Sequence, residues 1–280
     1  MPETLRLALW QCAPLPRAQS QADDHAVADN LARLEATLAQ VSGTVDLLVT
    51  PEMFVSGYNV GAEAARFRAD PVLRDMTIPP VDGSIADALS HMCARHRVAV
   101  VYGCGEIGDD GSVYNTARIV DAAGVHLGSH HKSHLYGGLD RDMFTAGTEP
   151  APVIEFCGWG VGLLICYEVE FPEMTRSLAA RGADLICVPT ANMVEYNDVQ
   201  RVLLPSRALE NQVFLAYANY IGTEGDLTYG GLSVILGPAG APVTANPGVA
   251  DLVTATLVHA DIEHSRSQFC YLDDRNPDVY

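Results

Sequence analysis

The chain has 280 residues, of which 48% are hydrophobic and 19% are charged, and its formal net charge is −18. That length and balance are typical of a folded protein with a sizeable core and exclude an intrinsically disordered chain. The negative charge argues against nucleic acids and anionic membrane surfaces as partners, because both would repel the protein.

The seven cysteines are scattered along the chain, and none forms a Cys-x-x-Cys pair. The sequence therefore predicts neither a zinc knuckle nor a disulfide framework, and we expect reduced thiols. The N-terminal stretch lacks the basic start and long apolar run of a signal peptide. No run of about 18 apolar residues predicts a membrane span. These features favour a cytoplasmic protein.

Strand-like and helix-like patterns alternate along the chain, which predicts an α/β fold. Asp23 or Asp24 is expected to cap the first helix and Ser84 the second, because short polar side chains accept hydrogen bonds from the free N–H groups of a helix start. In chain order, the first half is predicted to contain a strand at 5–12, a helix at 25–41, a strand at 45–52, a helix at 82–96 and strands at 97–106, 112–121 and 124–135.

The second half continues the alternation. Pro172 fits the first turn of a helix, where its missing N–H costs nothing. No low-complexity linker divides the chain, so residues 1–280 are predicted to form one domain. The elements predicted here are a strand at 161–168, a helix from Pro172 to near Gly182, a strand at 183–190, a helix at about 199–212, and closing strands in "VFLAYANYIG", "GGLSVILGPAG" and "DLVTATLV".

Two strands resemble each other in sequence. "VDLLVTPE" at 45–52 and "ADLICVPT" at 183–190 are both apolar, both entered through an aspartate and both terminated by a proline. Chemistry in α/β sheets gathers where strands end. We therefore expect Glu52, Thr190 and Cys166 at comparable strand exits, in two pseudo-symmetric halves.

Cys166 lies in "GVGLLICYEVEFPE", between an apolar strand and three glutamates. Nearby negative charge raises the pKa of a thiol above its ordinary value of about 8.5. Cys166 is thus either an inert core residue or a nucleophile activated by a base and a cation from elsewhere in the chain. Cys187 has a similar apolar setting and serves as the internal comparison. Only Cys166 precedes a polar turn and a Pro-started helix, where backbone N–H groups accumulate positive charge.

Lys132 lies in the histidine-rich stretch "GSHHKSHLYGG". In an extended backbone, Lys132 shares a face with His130 and His134, whereas His131 points to the other side. A lysine beside a thiolate would stabilise the thiolate, and its N–H groups could also bind a developing oxyanion. The alternative is an ordinary surface lysine.

Glu52 ends the apolar strand "DLLVTPE" and is followed by the apolar and aromatic stretch "MFVSGYN". Walls formed by Met53, Phe54 and Tyr58 would disfavour the charged form of the carboxylate, which favours proton uptake and release. The alternative is a solvated carboxylate at a sheet edge.

Three blocks, "TPEMFVSGY", "HHKSHLYG" and "LLICYEVEFPE", resemble in this order the three catalytic blocks of the nitrilase superfamily, the carbon–nitrogen hydrolases. The segments "VAVVYGCGE…VYNTARIVDAAG", "SRALENQVFLAYAN" and "YLDDRNPDVY" are also similar to that family, so the likeness covers nearly the whole chain. The resemblance implies a four-layer α-β-β-α sandwich. It also implies a homodimer or larger homo-oligomer, with the tail at 260–280 in contact with a neighbouring subunit.

The resemblance implies a role for each matching residue. Cys166 matches the nucleophile, Glu52 the general base and Lys132 the cation that stabilises the tetrahedral intermediate. The backbone N–H of Tyr167 would complete the oxyanion hole. Many members carry a second glutamate after the lysine. The nearest counterpart is Asp140, one methylene shorter, so the resemblance does not carry over its contacts.

The resemblance also implies hydrolysis of a small-molecule amide without a cofactor or metal. "CYE" followed by "FPE" is similar to the amidase-like branches, which favours an amidase, with N-carbamoyl hydrolysis second and nitrile hydrolysis third. We also expect Tyr58 and Asn192 near the substrate. Asp140 and Glu195 would favour a substrate with an amino group. The alternative interpretation is that both are solvated loop carboxylates.

Two other classes of function stay open at this level. Four histidines, at 126, 130, 131 and 134, could bind zinc, although no carboxylate lies at the spacing of a hydrolytic zinc motif. A non-catalytic α/β binding protein is also possible. A binding protein would show no preference for alkylation of Cys166 over Cys187.

Overall fold

The computed structural model describes residues 3–15, 24–58, 83–240, 242–245 and 248–279. Its six named helices are α1 (Asp24–Val41), α2 (Ser84–His96), α3 (Gly137–Met143), α4 (Pro172–Ala180), α5 (Leu204–Asn211) and α6 (His259–Gln268). Its strands are β1 (Thr4–Gln11), β2 (Leu47–Val49), β3 (Ala99–Ile107), β4 (Val113–Val120), β5 (His126–His131), β6 (Val153–Phe156), β7 (Trp159–Leu163), β8 (Leu185–Pro189), β9 (Phe214–Ala218), β10 (Ile221–Glu224), β11 (Leu227–Gly230), β12 (Val234–Leu236), β13 (Pro242–Thr244) and β14 (Asp251–Val258).

The strands form two six-stranded sheets and a separate β10–β11 hairpin. The first sheet has the order β14-β1-β2-β3-β4-β5, and the second has the order β13-β12-β9-β8-β7-β6. In each sheet three central strands are parallel, namely β1, β2 and β3 in the first and β7, β8 and β9 in the second. Parallel strands need crossover helices, and the observed helices α1, α2, α4 and α5 follow the strands that require them.

The side chains of β1 show how the layers are arranged. Leu7 and Leu9 are fully buried in the cluster between the two sheets, whereas Ala8 faces the cluster that contains α1. A third cluster lies between the second sheet and the helices α4 and α5. Each fully buried leucine contributes about 1.5–3 kcal/mol to the free energy of unfolding. The predicted α-β-β-α sandwich is confirmed.

The two halves of the chain repeat one another. The sequence β1-α1-β2-α2-β3-β4-β5 has the same order of elements and the same parallel core as β7-α4-β8-α5-β9-β12-β13. The short likeness between "VDLLVTPE" and "ADLICVPT" corresponds to the matching strands β2 and β8. Their exits meet, because the N–H of Glu52 donates to the carbonyl oxygen of Thr190 at 3.3 Å.

Several predicted boundaries differ from the structure. Strand β7 ends at Leu163, and the extended backbone stops after Ile165, because Cys166 has φ +46° and cannot continue it. Gly83, and not Ser84, occupies the N-cap position of helix α2. The Ser84 side chain lies outside the described part, as does the predicted cap it would make. The predicted cap of the first helix falls on side chains outside the described part. The helix predicted at 199–212 consists of a π-helical turn, Val199–Leu203, followed by α5, whose Pro205 lacks a backbone N–H.

The C-terminal segment packs on its own chain. Ile262 of α6 is buried, and the side chain of Gln212 donates to the carbonyl oxygen of Phe269 at 2.8 Å. The predicted contact of this segment with a neighbouring subunit stays a prediction. Among the described helices, none has the length and apolar character of a membrane span.

Candidate active site

Three loops that follow strands meet at one cavity of about 270 Å³. Glu52 lies after β2, Lys132 directly after β5, and Cys166 three residues after β7. All three line the cavity, together with Asp140 and Tyr167. The structure therefore brings together residues that are up to 114 positions apart in the sequence.

Lys132 is held between two carboxylates. Its Nζ lies 2.8 Å from Oε1 of Glu52 and 2.6 Å from Oδ2 of Asp140, and its side chain is only 1% exposed. Burial alone would lower the pKa of Lys132, but the charges of Glu52 and Asp140 outweigh it and raise the pKa well above its usual value. Lys132 is thus a permanent cation in the cavity.

The two carboxylate oxygens of Glu52 have different surroundings. Oε1 accepts hydrogen bonds from Lys132, from the Tyr58 hydroxyl at 2.5 Å and from Nδ2 of Asn115 at 2.8 Å. Oε2 is buried and accepts no hydrogen bond from any described residue. A buried oxygen without a hydrogen-bond donor lowers the free energy of unfolding, so its presence often indicates a catalytic role. This oxygen is free to exchange a proton.

Asp140 contacts Lys132 although it is shorter than a glutamate. Its Oδ2 also accepts the backbone N–H of Tyr136 at 2.9 Å, and its Oδ1 accepts the Tyr58 hydroxyl at 3.2 Å. Asp140 lies in the first turn of α3, which carries it to the lysine. Burial, followed by Asp140 and Glu52, raises the pKa of Tyr58, so its hydroxyl stays a donor.

Cys166 occupies a strained position at the start of a 3₁₀ turn, Cys166–Glu170. A positive φ at a non-glycine residue costs on the order of 1 kcal/mol and is often found at functional sites. Burial raises the pKa of the Cys166 thiol well above its usual value, and Glu52 raises it further. The charge of Lys132 and a hydrogen bond from the backbone N–H of Ala191 oppose that shift. The resting residue is therefore a thiol that needs a base.

Cys187 has no such surroundings. It is fully buried in the cluster between the sheets, and burial is the cause that raises its pKa. It does not line the cavity of Cys166.

Glu168 joins the lysine segment to the cysteine turn. One oxygen accepts from the backbone N–H and the hydroxyl of Ser133, and the other accepts from the Ile165 N–H and contacts Nε2 of His130, all within 2.8 Å. Burial would raise the pKa of Glu168, but the hydrogen bonds from His130 and Ser133 outweigh it and lower the pKa. This buried network fixes Lys132 relative to Cys166.

The remaining predicted residues divide into two groups. Tyr58 and Asn192 line the cavity, and the Asn192 side-chain amide donates to the Tyr196 carbonyl oxygen at 3.1 Å. Glu195 is exposed and does not line the cavity, so its contact with the substrate stays a prediction. Its turn, Val194–Tyr196, contributes only the tyrosine to the wall.

Asn115, Tyr136 and Glu170 were not predicted from the sequence. Asn115 interrupts the apolar strand "VYNTARIV" with a buried amide, which is the one signal that could have found it. Tyr136 and Glu170 line the cavity, but nothing in their local sequence distinguishes them from surface residues.

The four clustered histidines do not converge on a common point. His130 contacts Glu168, His131 stacks on Tyr114 with ring centroids 4.1 Å apart, and His134 packs on Phe171. Within the described part of the chain, no group of three or more His, Cys, Asp or Glu residues could hold a metal ion.

Comparison with known proteins gives consistent matches. The family model for carbon–nitrogen hydrolases matches residues 6–267. A Pseudomonas protegens protein named "Hydrolase in pqqF 5'region" is 41% identical over 278 residues, which cover 99% of this chain and 91% of that protein. An (R)-stereoselective amidase from Pseudomonas sp. is 33% identical over 254 residues, which cover 90% of this chain and 87% of that enzyme.

A solved structure of a mutant amidase from Nesterenkonia sp. has a TM-score of 0.80 and 33% identity, and the match covers 98% of this chain and 95% of that one. In that structure the acetamide moiety of fluoroacetamide is covalently added at the active-site cysteine. The match of the family model over nearly the whole chain, supported by these relatives, shows that this protein belongs to the carbon–nitrogen hydrolase family.

Proposed function

We propose that the protein is an amidase that converts a small primary amide into a carboxylic acid and ammonia through a thioester on Cys166. One observation carries the proposal. The free oxygen of Glu52, the buried ammonium of Lys132 and the thiol of Cys166 line a single cavity large enough for a small molecule. A base, a cation and a nucleophile are the parts that acyl transfer to water requires.

In the first half of the reaction, the sulfur of Cys166 attacks the amide carbon while Glu52 accepts the thiol proton. The carbonyl oxygen becomes an oxyanion, which Lys132 and the N–H of Tyr167 stabilise. Glu52 then returns the proton to the amide nitrogen, the C–N bond breaks, and ammonia leaves a thioester on Cys166.

In the second half, Glu52 accepts a proton from water, and the hydroxide formed attacks the thioester carbon. The C–S bond breaks, Glu52 returns the proton to the sulfur, and the acid is released. Asp140 and Tyr58 act through Lys132 and Glu52, because they fix the positions of both charged groups.

Two relatives support an amide as the substrate. The relative from Pseudomonas sp. is named an (R)-stereoselective amidase. The mutant Nesterenkonia amidase carries the acetamide moiety of fluoroacetamide on its active-site cysteine. N-carbamoyl compounds and nitriles stay the second and third candidates, because Cys166 could attack either with the help of the same base and cation.

Ammonia release from a panel of primary amides, N-carbamoyl compounds and nitriles tests the proposal. We expect amides to be hydrolysed fastest, and we expect Cys166→Ser to reduce turnover by several orders of magnitude. Fluoroacetamide should add one acetamide moiety to Cys166 and none to Cys187. Full turnover by Cys166→Ser, or full loss of activity after exhaustive chelation, would refute the mechanism.

We also propose that the protein is cytoplasmic and forms a homodimer or larger homo-oligomer through its C-terminal segment. Phe269 and Tyr271 support the assembly, because both are exposed and stack with ring centroids 5.4 Å apart. Light scattering after size-exclusion chromatography would show whether Phe269→Ser dissociates an assembly, and cell fractionation would test the location.

A further inference from the structure

Glu170 is the acidic residue of the cavity that the proposed hydrolysis does not use. It lines the same cavity as Cys166, and its side chain is partly buried. No described residue donates a hydrogen bond to its carboxylate, and Lys132 and Arg207 act on it only through their charge. The carboxylate is therefore held in the cavity without a direct partner.

Arg207 fixes the backbone of this segment instead of pairing with the carboxylate. Its guanidinium donates to the carbonyl oxygens of Val169 at 3.1 Å and Glu170 at 2.7 Å, and also to the side chain of Glu210 at 3.1 Å. Because those contacts occupy the guanidinium, the Glu170 side chain stays available for a ligand.

The charges of the cavity favour a cationic ligand. Among the described residues, the charged side chains that line it are Glu52, Asp140, Glu170 and Lys132. Lys132 is shared by Glu52 and Asp140, so the acidic side chains of this lining outnumber the basic side chain by two. An anionic substrate would be repelled there, and a cationic one would be attracted.

The aromatic wall of the cavity suits the same kind of ligand. The ring of Tyr136 lies 5.5 Å from that of Tyr167 and 6.0 Å from that of Tyr196, measured between centroids. All three rings line the cavity with Glu170. Aromatic faces attract ammonium groups, most strongly where water is partly excluded.

We propose that the amide substrate carries a protonated amino group and that Glu170 binds this group. The proposal rests on the amidase function proposed above and names its substrate class. It assigns amine binding to Glu170, because Asp140 already binds Lys132 and Tyr136, and Glu195 lies outside the cavity. Burial raises the pKa of Glu170. An ammonium beside Glu170 would favour its ionised form and so gain a charge-assisted hydrogen bond.

Matched amides test the proposal, because an ammonium and a methyl group are similar in size. We would compare kcat/KM for 3-aminopropanamide with butanamide, and for 4-aminobutanamide with pentanamide. The wild-type enzyme should prefer the amino amide of at least one pair by about tenfold or more. In Glu170→Gln that preference should fall to about one.

Glu173→Gln is the control, because Glu173 is exposed and lies three residues away on α4. It should keep the wild-type preference. Butylammonium should inhibit hydrolysis of the alkyl amide by the wild type and inhibit Glu170→Gln about tenfold less. Thermal unfolding would establish that both variants are folded. The preference for amino amides and the inhibition by butylammonium are also measured on the wild-type enzyme, so these two tests hold even if a variant does not fold.

The outcomes separate two failures. Hydrolysis of alkyl amides without a wild-type preference for amines, or with the same preference in Glu170→Gln, would overturn the substrate class and leave the amidase function intact. Absence of hydrolysis of every amide, together with absence of a fluoroacetamide adduct, would overturn both.

Discussion

At the scale of single residues, Cys166 and Cys187 show how neighbouring groups determine the reactivity of a thiol. Both follow an apolar strand-like stretch, and burial raises the pKa of both. Only Cys166 has a carboxylate, an ammonium and a backbone N–H acting on it. A raised pKa does not prevent catalysis, because a base can take the proton during the attack instead of before it.

That distinction predicts the pH dependence of alkylation. Because thiolate is the reactive form and the pKa of Cys166 is raised, its reaction with iodoacetamide should reach half its maximum rate well above pH 8.5, the ordinary value for cysteine. Amide hydrolysis should persist near neutral pH, where Glu52 supplies the base. Peptide mapping by mass spectrometry gives both curves, with the exposed Cys270 as internal reference. Half-maximal alkylation of Cys166 below pH 8.5 would mean a preformed thiolate and would contradict the mechanism.

Glu168 should contribute strongly to stability. Glu168→Gln removes the charge that four hydrogen bonds surround, so we expect a loss of about 3 kcal/mol in the free energy of unfolding near pH 7. The pKa of Glu168 is lowered in the folded state. Its contribution is therefore present above the unfolded-state value of about 4.3 and is lost as the pH falls through the lower folded-state pKa.

Urea denaturation at several pH values would measure this effect. The difference between wild type and Glu168→Gln should shrink below about pH 4.3, whereas the exposed Glu173→Gln should stay within about 0.5 kcal/mol of wild type throughout. A difference that is independent of pH would show that Glu168 acts by packing alone.

At the scale of elements, the site depends on how closely neighbouring strands approach. Glu52 leaves β2 beside Gly103 of β3, where the N–H of Val55 donates to the Gly103 carbonyl oxygen at 3.2 Å. A Cβ atom at Gly103 would lie 2.8 Å from the Cα atom of Glu52. Backbone atoms cannot move aside as a flexible side chain can, so only glycine allows this approach.

Gly103→Ala should therefore displace Glu52 and reduce kcat by about 100-fold, because a shift of about 1 Å in a catalytic group has that effect. Gly237→Ala is the matched control, since its Cβ would make only ordinary contact with Phe214 at 3.5 Å. Steady-state kinetics, with circular dichroism to establish folding, would measure the effect. Equal kcat in both variants would show that the loop carrying Glu52 adjusts without cost.

The helices and strands were largely predictable from the sequence, whereas several contacts of the site were not. Apolar periodicity is a local property, so it predicted most strands and helices and placed Glu52 and Cys166 near strand ends. Lys132 and the order of the three blocks pointed to the family. Asn115, which donates to Glu52, and Glu170, which lines the cavity, could not be assigned to the site, because their positions depend on contacts between distant segments. The geometry at Cys166 was missed for another reason: a strained φ arises from tertiary packing and not from local preference.

At the scale of the whole molecule, the two halves share one core. Leu7, Leu9 and Val101 of the first sheet pack in the same cluster as Val161, Leu163 and Leu185 of the second. Hydrogen bonds also cross between the halves, including Ser233 N–H to Gln11 Oε1 at 3.0 Å and Ile221 N–H to the Cys12 carbonyl oxygen at 3.0 Å. Neither sheet can bury its inner face alone, and the proposed catalytic residues come from both halves. We therefore expect the repeat to behave as one unit, and not as two domains.

This shared core predicts a single cooperative unfolding transition, as proposed for one domain at 1–280. The two tryptophans report on different halves, because Trp10 of β1 packs on Phe54 in the outer cluster and Trp159 of β7 is fully buried between the sheets. In Trp159→Phe the tryptophan fluorescence comes from Trp10 alone, and in Trp10→Phe it comes from Trp159 alone. Within each variant, the urea midpoint from fluorescence should equal the midpoint from far-ultraviolet circular dichroism, because loss of either half exposes the inner face of the other. A comparison within each variant removes the effect of the substitution on stability. Separate midpoints in either variant would mean that the halves unfold independently, and the single-domain assignment would then be wrong.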